Sequence, residues 1–234
     1  MSSIMCSKKN EVETAVLDVT SLPKRYFCLT LKRAIKRTGI RNLIVTYTQT
    51  GRLGYSQQHL AEDPMTCEAL PGYAPPLSRQ GGALVVAVGF EPLNIRSLLE
   101  VYQEEKQEIK AIMSFPPGGG SMGREWLTLR ETAIGNVGEP QRRNIEVISA
   151  WDAEIVYKTL LKWNEELGSL SLAPYGPKPH TLAMALFAMA KDAGMYYTQP
   201  KSYNPDYSFG QGPAWAYVAK WEGVACFERP SRLV

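Results

Sequence analysis

Short apolar runs alternate with amphipathic stretches along most of the chain, the pattern of strands that feed helices. Thr14 to Val19 (TAVLDV) is apolar and β-branched and reads as a first strand, closed by Thr20-Ser21-Leu22-Pro23-Lys24-Arg25. Phe27, Leu31, Ala34 and Ile35 then recur at helical spacing with Lys32, Arg33, Lys36 and Arg37 off that face, and Gly39 is a plausible helix stop. Asn42 to Thr48 (NLIVTYT) reads as a second strand. Ala83 to Val88 (ALVVAV) is the most apolar strand, and a helix to about Glu105 follows its Gly89-Phe90-Glu91-Pro92 turn. Ile109 to Phe115 and Ile145 to Ser149 are further strands, with a short helix over Arg124 to Ile134 between them. Asp152 to Glu166 is amphipathic, with Ile155, Val156, Leu160 and Trp163 inward. Leu170 to Ala173 leads through Pro174-Tyr175-Gly176-Pro177-Lys178-Pro179-His180-Thr181 into an almost wholly apolar helix, Leu182 to Ala190, which needs protein on most sides. Met195 to Gln199 is a strand, Pro200 to Pro213 a Tyr/Pro/Gly-rich stretch, and Ala214 to Phe227 a terminal strand or hairpin.

Strands alternating with helices predict an α/β fold, a Rossmann-like and mainly parallel sheet with helices on both faces and a C-terminal antiparallel strand or hairpin. Residues 1–12 read as a flexible N-terminus and 13–234 as one domain, interrupted by a Gly/Pro-punctuated surface excursion at 49–81. Ligands of such sheets sit outside the carboxyl ends of the strands, against helix N-termini.

Composition narrows the setting. With 44% hydrophobic and 21% charged residues the chain is an ordinary globular sequence. A net charge of +3 permits an anionic ligand without predicting direct binding of duplex DNA. No apolar run reaches the roughly 18 residues of a membrane span. Cys6, Cys28, Cys67 and Cys226 are scattered and only His59 and His180 accompany them, so neither a metal nor a cofactor is expected, and reduced thiols fit a cytoplasmic location.

The candidate chemistry lies at the strand-to-helix turns. Ser21-Leu22-Pro23-Lys24 and Tyr175-Gly176-Pro177-Lys178 share one form, a strand, a short turn, Pro-Lys and a helix. A lysine beside free backbone N–H groups strengthens an anion site, so Lys24 and Lys178, with Ser21 and Arg25, predict a two-point clamp for phosphates. Gly176 allows close approach, Thr181 offers a hydroxyl, and His180 is a donor or an acid/base group. Gly89 and Glu91 close the most apolar strand, and Asp18 with Glu91 forms a possible carboxylate pair; the plainer reading is two unrelated turn carboxylates. Weak catalytic candidates are therefore Asp18, Glu91 and His180. Phe115 to Ser121 followed by Arg124 lacks the Walker arrangement, which leaves a solvent loop or a lid with Arg124 reaching inward. Tyr47 and Arg52 after the second strand, and Gln199, Tyr203 and Asn204 after Met195 to Gln199, have the side chains to stack a base and read its edge, or simply to pack.

The Gly176-Pro177-Lys178-Pro179 turn into a helix of small residues resembles the lysine-bearing turn of CRISPR-associated Rossmann-fold (CARF) sensors and of the related SAVED domains. The segments LDVTSLPKR, VAVGFEP, LAPYGPKPHTLAMAL and YYTQPKSYNPDYSFG are also similar to a group of prokaryotic Rossmann-like proteins associated with defence loci. The resemblance implies that Gly176, Lys178 and Thr181 contact a cyclic oligonucleotide, although Pro177 stands where the sensor turn carries a threonine. It also implies a homodimer or an effector protein as partner. The expectation is thus a non-catalytic nucleotide-binding sensor or regulatory subunit in a prokaryotic defence system. The alternatives are a nucleotide-processing enzyme of glycosidase or phosphodiesterase type, and a scaffold with an apolar patch on the Leu182 to Ala190 helix.

Overall fold

A computed structural model describes residues 12–51, 61–74, 82–89, 95–104, 107–116, 144–203, 208 and 210–228. Within them the chain is mixed α/β, with two sheets and four α-helices. The expected flexible terminus at 1–12 falls, but for Val12, outside the described residues, as does the helix expected at 124–134.

The strands do not all join one sheet, which corrects the sequence-based picture. β1 (Val12–Asp18) runs parallel to β2 (Ile40–Thr48), joined by α1 (Lys24–Lys36). β9 (Ala214–Trp221) then pairs antiparallel with β2, and the short β10 (Val224–Ala225) with β9, which completes a separate four-stranded sheet. Which strand pairs with β2 is a non-local choice, made by a segment more than 160 residues away, and alternation of apolar residues carries no information on it.

The second sheet has the order β3-β8-β7-β4-β5-β6. β4 (Ala83–Ala87), β5 (Ile109–Ser114) and β6 (Ile145–Ile148) step outward in one direction. β7 (Leu170–Pro174) then returns to the other side of β4, and β8 (Gly194–Tyr203) continues that way, all five strands parallel. Between them lie α2 (Arg96–Glu104), α3 (Ala153–Leu167) and α4 (Lys178–Lys191). β4 and β7 are buried along their whole length, as central parallel strands covered on both faces must be. α4 is buried along most of its length by α1 and α3, which accounts for its lack of a polar face and removes it as an exposed apolar patch. Asp152 caps α3, accepting from the Ile155 N–H at 2.9 Å.

The expected surface excursion at 49–81 contains a strand. β3 (Ala61–Ala69) pairs antiparallel with β8 from Tyr196 to Tyr203, and Leu70 and Tyr73 after it are buried. Only Gly194 and Met195 of β8 pair with β7, so β8 then leaves the parallel sheet and forms a two-stranded ribbon with β3. The Tyr73 hydroxyl donates to the Cys28 carbonyl at 3.0 Å, and the Lys32 amine lies 4.5 Å from the Tyr73 ring centroid, which fastens this segment to α1.

α1 is held at its far end by a buried amine. A register shift in the β2–β9 ladder turns Lys220 inward, where it donates to the Ile35 and Arg37 carbonyls at 3.0 and 2.9 Å. The Ile35 carbonyl ends the helix with no partner further along it, whereas the Arg37 carbonyl also accepts from the Ile40 N–H at 3.2 Å. Replacing Lys220 by Met leaves the Ile35 carbonyl unsatisfied and is expected to cost about 1–3 kcal/mol in urea unfolding. The exposed Lys201→Met control should change stability by less than about 0.5 kcal/mol.

Candidate functional site

The reversal of strand order at β4 puts the carboxyl ends of the parallel strands β4 and β7 side by side. A Cβ on Gly89 would fall inside the van der Waals sphere of the Tyr175 carbonyl oxygen, and one on Gly176 would lie 3.0 Å from both the Ala87 Cβ and the Val88 carbonyl oxygen. Both glycines are thus required by the contact between the two turns. Tyr175 is fixed beneath: its hydroxyl is 2.9 Å from Thr198 Oγ1, receives the Thr198 N–H at 3.2 Å and lies 3.5 Å from Cys67 Sγ. Burial raises the phenol pKa well above its usual range, so the hydroxyl stays protonated.

The first sheet meets the second at these same carboxyl ends. Trp215 of β9 stacks on Trp151 of the β6–α3 turn with centroids 4.7 Å apart and planes 9° from parallel, and the Tyr217 hydroxyl donates to the Trp151 carbonyl at 2.8 Å. The β1–α1 turn meets the β7–α4 turn through an exchange of lysines. Lys24 Nζ donates to the Pro174 and Gly176 carbonyls at 2.6 and 2.7 Å and lies 5.0 Å from the Tyr197 ring centroid. Lys178 Nζ donates in the opposite sense, to the Thr20 carbonyl. The two Pro-Lys turns therefore come together, but from two sheets and not from one edge.

The receiving turn is rigid. Asp18 Oδ1 accepts from the Thr20 N–H at 2.7 Å, and Thr20 Oγ1 accepts from the Thr48 N–H at 2.9 Å. The hydrogen bonds from Thr20, with a smaller contribution from the charge of Lys178, hold the Asp18 carboxyl below the usual range and keep it ionised. Pro23 and Pro177 occupy the N-cap positions of α1 and α4, neither helix has a side-chain cap, and neither has an acidic residue in its first turn. Two uncapped helix N-termini and two amines thus converge, with Asp18 as the near carboxylate.

This crowding shifts the amines. Burial, then the charge of Lys178, lowers Lys24 to about 7; burial lowers Lys178 to about 8, against the opposing pull of Asp18. A neutral amine has two N–H donors, which matches the two carbonyls that hold Lys24. Among the described residues neither lysine forms an ion pair.

The remaining candidates are dispersed. Ser21 and Arg25 are exposed near the turn, and Tyr47 is buried in β2. His180 and Thr181 are buried in the first turn of α4: His180 Nε2 sits 2.8 Å from the Ser149 carbonyl oxygen, while Thr181 Oγ1 donates to the Pro177 carbonyl at 3.2 Å. Burial lowers His180 to about 4, so it is neutral near pH 7, and its Nδ1 has no partner among the described residues. Gln199 and Tyr203 lie on the ribbon, where Gln199 Nε2 donates to the Tyr203 hydroxyl at 2.9 Å. Arg52, Glu91, Arg124 and Asn204 lie outside the described residues. Sequence reasoning did not single out Thr20, Tyr175 or Tyr197. Thr20 acts mainly through its backbone, which no side-chain pattern reports; Tyr175 read only as the first residue of its turn and Tyr197 as an ordinary strand residue.

The lysine shifts carry a pH signature. Lys24 has a folded pKa of about 7 against 10.5 for an ordinary lysine, so from pH 7 upward the unfolded chain binds more protons than the folded one. Stability rises with pH there, and Lys178 adds to the rise above about 8. Near pH 9 the rise begins to be opposed, because cysteines ionise in the unfolded chain while burial keeps Cys28 protonated up to about 12. Lys24→Met should flatten the rise of the urea midpoint between pH 7 and 9 and cost about 1–3 kcal/mol through the two abandoned carbonyls; a variant with an unchanged pH slope would remove Lys24 as its source. Comparison of the chain with protein-family models, with curated proteins and with solved structures returns no match.

Proposed function

We propose that this chain binds an anionic, nucleotide-like ligand where the β1–α1 and β7–α4 turns meet, and does so without catalysing a reaction. The observation that carries the reading is the convergence of Lys24, Lys178 and two uncapped helix N-termini beside the ionised carboxylate of Asp18. Such an arrangement has an excess of positive potential that a phosphate relieves. The order β6-β5-β4-β7-β8 of the parallel strands supports reading this sheet as Rossmann-like, and ligands of such sheets sit beside the point where the strand order reverses. Lys24 is already committed to two carbonyls, so its role is to hold the site. Lys178 donates to one carbonyl and keeps donors for the ligand. The β3–β8 ribbon adds an aromatic wall: Tyr197 stands beside Lys24, and the partly exposed ring of Tyr203 is anchored through Gln199 and suits stacking on a base.

The protonation states favour binding over chemistry. Asp18 is an ionised acceptor fixed on its own turn, and His180 is neutral and buried. In its proposed setting the protein is a sensor or regulatory subunit of a prokaryotic defence system, with a cyclic oligonucleotide among the candidate ligands.

Isothermal titration calorimetry with mononucleotides, cyclic oligonucleotides and inorganic phosphate tests the reading. A nucleotide is expected to bind more tightly than phosphate alone. Lys178→Ala should weaken it by roughly 10- to 100-fold, the worth of one charge-assisted hydrogen bond. Binding indifferent to Lys178 overturns the site, and conversion of nucleotide seen by chromatography replaces the binder with an enzyme.

A further inference from the structure

The first sheet leaves one of its faces in solvent. Its inner face carries Leu43, Val45 and Tyr47, all buried. On the outer face Val12, Val16, Val218 and Trp221 are 42%, 63%, 49% and 49% exposed. The ladder puts Val16 beside Ile44 and Ile44 beside Val218, so an apolar row crosses three strands. The row is flanked by Thr14 and Asn42 on one side and by Asp18, Thr46 and Ala216 on the other, so among these residues the face carries one charge, at its edge. Scattered exposed valines need no explanation, but a contiguous row across a flat sheet does.

We infer that this face docks the same face of a second copy of the chain, sheet on sheet, about a two-fold axis. Charge selects the occupant. Nucleic acid or an anionic membrane would call for lysines and arginines, and an acidic protein partner would seek the basic surfaces of a chain of net charge +3. A two-fold axis along the apolar row lays one row on the other and sends the two Asp18 carboxylates to opposite ends of the contact, so the face meets its own copy with little like-charge penalty. Size agrees. Strands about 4.8 Å apart and rising about 3.3 Å per residue give a face of roughly 20 by 25 Å. Two such faces bury about 1,000 Å² in total, near the lower limit of specific interfaces, so the dimer dissociates on dilution. The lysines of the anion site lie at the carboxyl ends of β1 and β7, past the edge of this contact, and Asp18 stands between the two.

Sedimentation velocity on the full chain from roughly 1 to 100 μM is expected to show a monomer–dimer equilibrium. Val16→Thr with Val218→Thr keeps β-branched side chains and should raise the dissociation constant at least about tenfold. V218K should give a monomer throughout. Hydroxyl-radical footprinting of the unaltered chain provides a readout independent of the variants, with Trp221 oxidation falling as concentration rises. A chain monomeric at the highest concentration overturns the inference and assigns the face to another occupant. So does a dimer that leaves Trp221 as reactive as in the monomer, or one indifferent to both sets of substitutions.

Discussion

Two lysines exchanged between two turns hold the molecule's halves in register. Each strand-to-helix turn ends with backbone carbonyls aimed at the other, and each contributes an amine that answers them. The bonds run in opposite directions, so sliding one turn past the other breaks both. Elsewhere the halves meet through the stack of Trp151 on Trp215, the packing of α1 on α4, and the Tyr217 and Tyr73 hydroxyls on the Trp151 and Cys28 carbonyls. These directional bonds set the geometry together with the lysine exchange, and burial of apolar surface supplies most of the stability.

The same exchange governs the electrostatics. Carbonyl oxygens and a tyrosine ring satisfy the Lys24 amine without neutralising it, as a carboxylate would. Burial lowers both amines, at Lys178 against the pull of Asp18, and their proximity deepens the shift at Lys24. A bound anion would reverse this, raising both pKa values and favouring the charged forms. Binding and protonation are coupled by that sign alone.

The glycines of the switch point illustrate how one residue type serves two readings. Gly89 and Gly176 stand where a phosphate loop would have them, and a sequence can only suggest close approach. What approaches Gly89 is the Tyr175 carbonyl, and what approaches Gly176 is the end of β4. The two turns press on one another, and this contact by itself requires both residues to be glycine.

Periodicity determined the elements that depend on neighbours in sequence. The buried positions Phe27, Leu31 and Ile35 of α1, the all-buried β4 and the apolar α4 were all legible, because burial of a face or of a whole element leaves a local pattern. The Pro-Lys repeat was legible too, but the sequence placed both turns on one sheet edge, whereas the fold brings Lys24 and Lys178 together from two sheets. Tertiary structure decided which strands share a sheet, since β9 reaches β2 only through the folded chain, and it found β3 in a segment whose Gly and Pro content suggested none. It also decided what the lysines hold. Their partners are the carbonyls of Thr20, Pro174 and Gly176, and every residue has such a carbonyl, so no sequence marks the few that a fold will turn toward an amine.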